Sequence, residues 1–140
     1  MIAIIKADFN EEVTDSLLNG CISYINEKKF AFQVFSVPGA VETVGLTGRL
    51  LDTYNFEAIV VLGAVIEGDT DHYTYVCQYV TAGHSALSTR AGIPIIFGIL
   101  TTKTEEQAIE RADVNRQNLG ASYAATAIRM IDVYNSMKQS

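Results

Sequence analysis

The stretch Ala58-Ile-Val-Val-Leu62, followed by Gly63-Ala-Val-Ile-Glu-Gly-Asp-Thr-Asp-His72-Tyr-Thr-Tyr75, decides the fold of this chain. Its first five residues are an apolar, mostly β-branched run that predicts a buried strand. A long amphipathic stretch after the glycines predicts a helix. In parallel α/β sheets, the junction between strand and helix lies at the carboxyl end of the strand, where ligands bind. The segment therefore predicts both a parallel sheet and the place of its binding site.

The same alternation of strand and helix patterns continues along the chain. Apolar runs predict strands at residues 2–5, 30–35, 58–62 and 93–100, and helical spacing predicts helices at 13–25, 44–54, 75–87, 104–112 and 120–133. Thr104 with Gln107 forms the capping-box pattern of a helix start. Four strands that each precede a helix predict an α/β fold, a flavodoxin-like three-layer αβα sandwich around a four-stranded parallel sheet. Residues 1–140 are expected to form a single domain.

Composition excludes several classes of protein. No apolar run in the 140 residues approaches the roughly 18 residues of a membrane span, so no membrane partner is expected. The net charge of −6 disfavours nucleic acid, which binds basic surfaces. The N-terminal residues lack the basic leader of a signal peptide and resemble a first strand. Cys21 and Cys77 are expected to be buried thiols in the reducing cytoplasm.

The segment after the predicted third strand has the features of a phosphate site. Asp69 or Thr70 is placed to cap the following helix, whose free N–H groups attract anions. His72 lies at the first turn, where the positive end of the helix dipole favours a neutral imidazole that can act as a base. A structural or surface histidine is the alternative interpretation, and we adopt that interpretation for His84 in the middle of the helix.

Other strand and helix ends carry further candidate residues. Phe9 lies in a loop, where its ring can either stack on a flat ligand or pack on the core, and Asn10 is placed as a helix cap. Glu42 follows the turn at Val37-Pro-Gly39 and can either accept hydrogen bonds from ligand hydroxyls or only stabilise its helix. Arg111, at the end of the short helix, can pair either with a phosphate or with the helix dipole.

Several common active-site motifs are absent from the sequence. It contains no phosphate loop of the form G-x-x-x-x-G-K-[ST] and no G-x-G-x-x-G dinucleotide fingerprint. It also has no paired-cysteine or His-Glu-x-x-His spacing for a metal and no G-x-S-x-G serine elbow. No metal site is therefore expected, and the chemistry is expected to rest on something other than a nucleotide, zinc or serine.

Five motifs in matching order resemble the lumazine synthase family over nearly the whole chain. They are Phe9-Asn10, Val37-Pro-Gly-Ala-Val-Glu42, Gly63-Ala-Val-Ile-Glu-Gly-Asp-Thr-Asp-His72 with Tyr73 after it, Phe97-Gly-Ile-Leu-Thr101 and Glu106-Gln-Ala-Ile-Glu-Arg-Ala112. The family condenses 5-amino-6-(ribitylamino)uracil with 3,4-dihydroxy-2-butanone 4-phosphate in riboflavin biosynthesis, releases phosphate and water, and uses no cofactor. The resemblance implies the same activity here.

The resemblance also implies which residues bind the pyrimidine substrate. Phe9 would stack on the pyrimidine, and Glu42 would accept hydrogen bonds from the ribityl hydroxyls. The ribityl chain and the edge of the pyrimidine would further contact five apolar residues: Ala40, Val41, Ala64, Val65 and Ile66.

Five more residues are implied for the phosphate and for the chemistry. Asp69 and Thr70 would cradle the phosphate, and Arg111 would pair with it. His72 would transfer protons during imine formation, phosphate loss and ring closure. Phe97 would reach in from a neighbouring subunit, because the family forms homo-oligomeric pentamers, some of which assemble into shells of twelve pentamers. Riboflavin synthase is a candidate further partner.

The chain departs from the commonest family pattern at three positions and at its start. Glu67 replaces a frequent basic residue, so that three acids with Asp69 and Asp71 surround the predicted phosphate site, and their side chains are expected to point away. Leu119 replaces a frequent lysine, and Val41 replaces a frequent aromatic residue. The chain begins at its first strand, without the segment that in many members adds a strand to the next subunit. Pentamer and closed shell therefore both stay open.

Two further interpretations stay open. The departures at Glu67 and Leu119 keep a non-catalytic flavin- or lumazine-binding relative, or an assembly scaffold, as the alternative to the enzyme. The small residues of the last predicted helix suit either packing within the molecule or a subunit interface: Gly120, Ala121, Ser122, Ala124, Ala125 and Ala127. A flavodoxin-like electron carrier is disfavoured, because Ala7-Asp-Phe-Asn10 is not the Ser- and Thr-rich loop that binds the phosphate of FMN.

Overall fold

The predicted alternation of strands and helices runs through the whole of the described structure. The computed structural model describes residues 1–53 and 55–138. Its elements are, in chain order, β1 (Ile2–Ala7), α1 (Glu11–Glu27), β2 (Phe32–Val37), α2 (Ala40–Thr53), β3 (Ala58–Ile66), α3 (His72–Arg90), β4 (Ile95–Thr102), α4 (Glu105–Ala112) and α5 (Leu119–Ser136). Tyr54, which the periodicity places at the end of the second helix, lies outside the described residues.

The four strands form one sheet, with β1 and β3 at its centre. All pairs are parallel, and the strand order is β2-β1-β3-β4. Every residue of β1 is buried, and in β3 only Ile66 is partly exposed. A parallel strand covered on both faces is apolar along most of its length, which explains the continuous apolar runs. The prediction of a flavodoxin-like α/β sandwich with a four-stranded parallel sheet is confirmed.

Two apolar layers, one on each face of the sheet, hold the helices. On one face Ile4 and Val60 pack with α1, α4 and α5, where Leu17 is fully buried. On the other face Val61 packs with α2 and α3, where Val80 is fully buried. Burying one such side chain completely stabilises the fold by about 1.5–3 kcal/mol. The two layers therefore fix the sheet edge at which β1, β2 and β3 end.

The strands differ from the predicted ranges at their ends. β3 continues past Leu62 through Gly63 to Ile66, because these residues pair with β4 from Ile99 to Thr102. Pairing inside a buried sheet outweighs the tendency of a lone glycine to interrupt a strand. β2 begins at Phe32 because the N–H of Phe30 still bonds to the carbonyl of Ile25 and closes α1. The strand ends that carry the candidate residues are therefore longer than the sequence indicates.

The small residues of α5 pack inside the molecule. Gly120, Ala124 and Ala127 are buried, and α5 crosses α1 at close range. A Cβ atom on Gly120 would lie 2.0 Å from the carbonyl oxygen of Leu17. These contacts bring the two helices together backbone to backbone, so the interpretation as packing within the molecule holds for this face of α5.

Both cysteines are free thiols. Cys21 is buried, and burial raises the pKa of its thiol to about 12. Cys77 is only half-buried, which differs from the prediction, because α3 is poorly covered and also leaves Tyr75 and Tyr79 exposed. In the described part of the chain, no helix is long and apolar enough to cross a lipid bilayer.

Candidate active site

A cavity of about 450 Å³ lies where β1, β2 and β3 end. Nine of the predicted site residues line it: Phe9, Ala40, Val41, Glu42, Ala64, Val65, Ile66, Thr70 and His72. Five residues that were not predicted to bind substrate line it as well: Asn10, Gly39, Gly68, Tyr73 and Val76. The volume lies within the range of about 300–1,000 Å³ that small-molecule sites occupy. Three loops that are distant in sequence therefore meet at one concave site.

The loop after β1 presents Phe9 at this cavity. Phe9 is 71% exposed, so its ring does not pack on the core as the alternative interpretation required. Asn10 occupies the N-cap position of α1, but its side chain makes no capping hydrogen bond. Its amide instead donates to the carbonyl oxygen of Ala64, at 2.8 Å. The side chain of Asn10 therefore links the loop to the end of β3 and does not cap the helix.

The turn between β2 and α2 presents Glu42. The carboxylate lies in the first turn of α2 and is exposed, so it is available to a ligand. A Cβ atom on Gly39 would lie 3.2 Å from Oε1 of Glu42, a distance at which one of the two must move. Gly39 therefore leaves room for the carboxylate beside the turn.

In the segment from Glu67 to His72, residues that line the cavity alternate with residues that do not. Gly68, Thr70 and His72 line the cavity, whereas the acids at 67, 69 and 71 do not and are exposed. The prediction that these acids point away from the site agrees with this alternation, and Asp69 consequently contributes no side chain to the lining. A phosphate at this end of the cavity would meet a hydroxyl, an imidazole and a glycine.

The start of α3 differs from the prediction. The helix begins at His72 with Asp71 as its N-cap, so neither Asp69 nor Thr70 is the capping residue. The hydroxyl of Thr70 nevertheless accepts a hydrogen bond from the backbone N–H of His72, at 3.3 Å. One turn of α3 thus presents its N-terminal N–H groups where Thr70 and His72 line the cavity, an arrangement that attracts anions.

Tyr73 and Val76 line the cavity, although the sequence did not predict either residue to contact a ligand. Tyr73 is half-buried, and burial, followed by the neighbouring Cys77, raises the pKa of its phenol. The phenol therefore stays protonated and can donate a hydrogen bond. The available signal was spacing, because Val76 lies four residues after His72 on the same face of α3.

Phe97 and Arg111 lie outside the cavity of their own chain. Phe97 is on the edge strand β4 and is 38% exposed. Arg111 ends α4, where one guanidinium nitrogen donates to the carbonyl of Gln107 at 3.0 Å. Tyr123 on α5 is close enough to Gly98 to fill the space of a Cβ atom. It is also close enough to Arg111 for the positive charge to lower its pKa against the larger, raising effect of burial. Phe97 points to the other face of β4, where its ring contacts His84. Phe97 and Arg111 are therefore both near β4 but on opposite faces of the sheet.

The described lining of the cavity contains no lysine or arginine. Elsewhere in the described residues, no three His, Cys, Asp or Glu side chains converge closely enough to hold a metal ion. His84 is buried and contributes to the packing of α2 against α3, as the structural interpretation predicts. A positive charge for a bound phosphate must therefore come from outside this lining.

Comparison with known proteins identifies the family. The family model described as 6,7-dimethyl-8-ribityllumazine synthase matches residues 1–135. A protein of that name from Coxiella burnetii (strain Dugway 5J108-111) is 44% identical over 140 residues, which cover 98% of this chain and 93% of the relative. Another of that name, from Sodalis glossinidius (strain morsitans), is 42% identical over 141 residues and covers 98% and 90%. Together with the convergence of three of the family's five motifs on one cavity, these matches show that the chain belongs to the 6,7-dimethyl-8-ribityllumazine synthase family.

Proposed function

We propose that this protein is the transferase that joins 5-amino-6-(D-ribitylamino)uracil to 3,4-dihydroxy-2-butanone 4-phosphate. The products are 6,7-dimethyl-8-ribityllumazine, phosphate and water, in riboflavin biosynthesis. One observation carries the proposal: nine residues of the family's motifs, from three separate loops, line a single cavity. The family match over residues 1–135 and the shared name of its relatives support the same reaction.

The pyrimidine substrate occupies the end of the cavity formed by the first two loops. The exposed ring of Phe9 offers a flat face on which the pyrimidine stacks. The carboxylate of Glu42 accepts hydrogen bonds from the ribityl hydroxyls, beside Ala40 and Val41. The end of β3, from Ala64 to Ile66, supplies backbone groups to the pyrimidine edge.

The phosphate of the second substrate lies at the start of α3. The hydroxyl of Thr70, the backbone around Asp69 and the first N–H groups of the helix bind it. Because Arg111 does not line the cavity of its own chain, its guanidinium pairs with the phosphate bound to a neighbouring copy. Phe97, on the edge strand β4, enters that neighbouring cavity as well.

Two effects account for the chemistry. Holding both substrates together contributes several kcal/mol, up to about 7–11 in the best cases. His72 moves protons as the amine adds to the carbonyl to form the imine, as phosphate leaves and as the ring closes, a contribution typically of about 10²–10⁴-fold. Tyr73 lines the same cavity, and its phenol, which interacts with Cys77 and Thr101, stays protonated.

A site that needs residues from two copies requires an oligomer. The proposed assembly is a homo-oligomer built from pentamers, with a shell of sixty subunits as a larger form, active in the cytoplasm. Two features support it: β4 is an unpaired sheet edge that carries the exposed Phe97, and α3 has no charged residue between His72 and Arg90. Riboflavin synthase, which uses the product, is the proposed further partner.

A second candidate function follows from the cation-free lining. A binding protein for lumazines or flavins would need the ring pocket at Phe9 but no phosphate contact. The Arg111→Ala variant separates the two functions. In the enzyme, the loss of one charged contact to the phosphate lowers kcat/KM by roughly 100-fold or more. In a binding protein, the affinity for 6,7-dimethyl-8-ribityllumazine stays unchanged and no turnover occurs in either form.

The test is an absorbance assay of lumazine formation with both substrates, corrected for the uncatalysed reaction. Arg116→Ala is the matched control, because Arg116 is a nearby exposed arginine whose one ion pair, with Asp113, spans 3.9 Å. Turnover that survives in Arg116→Ala and collapses in Arg111→Ala supports the proposal. Turnover absent from the unmodified, folded and oligomeric protein would reject it in favour of the binding function.

A further inference from the structure

We propose that His84 is a positioning residue for Phe97, and that Thr43 connects it to Ala40 in the main cavity. The inference rests on the proposed function, in which Phe97 enters the cavity of a neighbouring copy. The four residues form a continuous series of contacts from the ribityl end of one cavity to the aromatic ring that serves the next.

The hydrogen-bond pattern fixes which nitrogen of His84 carries the hydrogen. The hydroxyl of Thr43 donates its single hydrogen to the carbonyl oxygen of Ala40. It can therefore only accept from Nε2 of His84, which lies 2.9 Å away. Nδ1 has no hydrogen-bond partner among the described residues. A single hydrogen bond to Thr43 consequently sets the orientation of the imidazole ring.

The oriented imidazole supports Phe97 from behind. The two ring centroids are 5.8 Å apart and the planes meet at 63°, an edge-to-face contact. Both rings border a second cavity of about 340 Å³, whose other lining residues are mostly small and polar: Thr81, Ser85, Ser88, Thr89 and Ile95. Phe97 is on an edge strand, and the small polar residues around this cavity support its ring only weakly. The imidazole of His84 is therefore its aromatic support.

Helices α2 and α3 are in close contact around Thr43 and His84. Thr43 is fully buried and His84 is 3% exposed. Beside them, a Cβ atom on Gly83 would lie only 2.6 Å from a methyl carbon of Val44, so α2 and α3 are in close contact. A close contact of this kind transmits displacements from one helix to the other. The free space is on the far side of the connection, in the cavity that His84 and Phe97 border, so the two rings are able to move. A shift of Ala40 when substrate binds should therefore reach Phe97, and through it the neighbouring cavity.

Thr43→Val breaks the connection with almost no change in volume. It removes the acceptor for Nε2 of His84 and frees the ring to turn. Thr43→Ser keeps the hydroxyl and should restore the native behaviour. Thr47→Val is the matched control, because Thr47 lies one turn further on α2, is equally buried, and bonds its hydroxyl to the backbone carbonyl of Thr43 at 2.7 Å.

The fluorescence of a tryptophan at position 97 reports the surroundings of this side chain without any need for turnover. Since the sequence contains no tryptophan, Phe97→Trp introduces a single one. We expect Thr43→Val to shift its emission maximum and to increase its quenching by acrylamide, Thr43→Ser to restore both, and Thr47→Val to leave both unchanged. Identical spectra in Thr43→Val and in the reporter protein, or an equal change in Thr47→Val, would overturn the inference.

Steady-state kinetics of the chain with its native Phe97 separates this inference from the proposed function. Thr43→Val should raise KM for the pyrimidine substrate roughly two- to tenfold, the value of one aromatic contact, with kcat nearly unchanged. If the unmodified protein forms no lumazine, the proposed function fails, while the fluorescence result still decides the connection. If it turns over and KM is the same in Thr43→Val, the positioning role fails alone.

Discussion

The side-chain amide of Asn10 donates a hydrogen bond to the carbonyl oxygen of Ala64, which fastens the loop after β1 to the end of β3. Asn10 has a φ of 63°, a left-handed conformation that asparagine adopts more readily than most residues. Phe9 precedes it, and its own N–H bonds to the carbonyl of Pro38 at 3.0 Å. The short segment that carries the exposed ring is thus held by two hydrogen bonds, one from the backbone of Phe9 and one from the side chain of Asn10.

Substitutions of Asn10 should loosen this loop in two distinguishable ways. Asn10→Gly keeps the left-handed backbone and loses only the hydrogen bond, so we expect a loss of about 1 kcal/mol of stability. Asn10→Ala loses the bond and also strains the backbone, which adds roughly 1 kcal/mol. Urea unfolding measures both losses, and KM for the pyrimidine substrate should rise in both variants. Equal stability of the two variants would show that the backbone conformation carries no cost.

The contact between α1 and α5 should tolerate no side chain at Gly120. Because a Cβ atom there would meet the backbone of Leu17 at 2.0 Å, Gly120→Ala must separate the helices and should cost more than about 2 kcal/mol. Gly45→Ala on α2 is the matched control. Nothing lies within 4 Å of its Cβ position, so the substitution should stabilise the helix by about 0.5–1 kcal/mol. Thermal unfolding of the two variants should therefore shift in opposite directions.

Lys6 should make stability depend on alkaline pH. Burial alone would lower its pKa, but the carboxylates of Asp15, at 2.6 Å, and Asp8, at 3.2 Å, outweigh burial and raise the pKa above 10.5. The folded state thus binds this proton more tightly than the unfolded state. The resulting stabilisation is complete below pH 10.5 and is lost as the pH rises through the raised value.

Urea unfolding between about pH 9 and 12 measures this loss. Lys6→Met should be less stable at the lower end of the range and should lose less stability as the pH rises. Lys103→Met, at an exposed position, is the control for removal of a positive charge. A Lys6→Met variant whose stability falls as steeply as that of the unmodified protein would contradict the prediction.

His84 should make stability depend on mildly acidic pH. Burial lowers its pKa from 6.5 to about 4, so between these values only the unfolded state binds the proton. The contribution of His84 to stability is therefore complete above pH 6.5 and is lost as the pH drops toward 4, by roughly 3 kcal/mol at about 1.4 kcal/mol per pH unit. The two side chains that contact the imidazole, those of Thr43 and Phe97, carry no charge.

The comparison that isolates this effect is His84→Gln. The difference in unfolding free energy between the unmodified protein and the variant should shrink steadily from pH 7 to 4.5, because only the former contains the buried imidazole. If both proteins lose stability by the same amount as the pH falls, the folded protein binds a proton on His84 as readily as the unfolded chain does, and the prediction is wrong.

Much of this fold follows from local patterns in the sequence. The continuous apolar runs gave the four parallel strands because burial on both faces demands such runs, and Thr104 with Gln107 marked the start of α4, where both hydrogen bonds of the capping box are present. The length of β3 did not follow, because the pairing of Gly63 to Ile66 with β4 depends on a strand some 35 residues away. Strand ends are decided by partners and not by their own residues.

The candidate site was predicted unevenly for a similar reason. Phe9, Glu42 and His72 lie in short segments whose spacing alone places them at strand ends, and the structure brings them to one cavity. Asn10 was predicted only as a cap, because nothing local reveals that its amide reaches Ala64. Arg111 was named from its place at a helix end, with the helix dipole as the alternative partner. The role of Phe97 was named through the family resemblance, since no property of one chain shows that a side chain serves the next.

The meeting of α1 with α5 has a consequence for synthesis on the ribosome. The layer on this face of the sheet includes Ala124, Ala127 and Ile131, so it is complete only when α5, which starts at Leu119, is in place. A nascent chain that ends before this helix therefore leaves part of this layer uncovered, even with all four strands made. The domain should complete its fold only after α5 has left the ribosome.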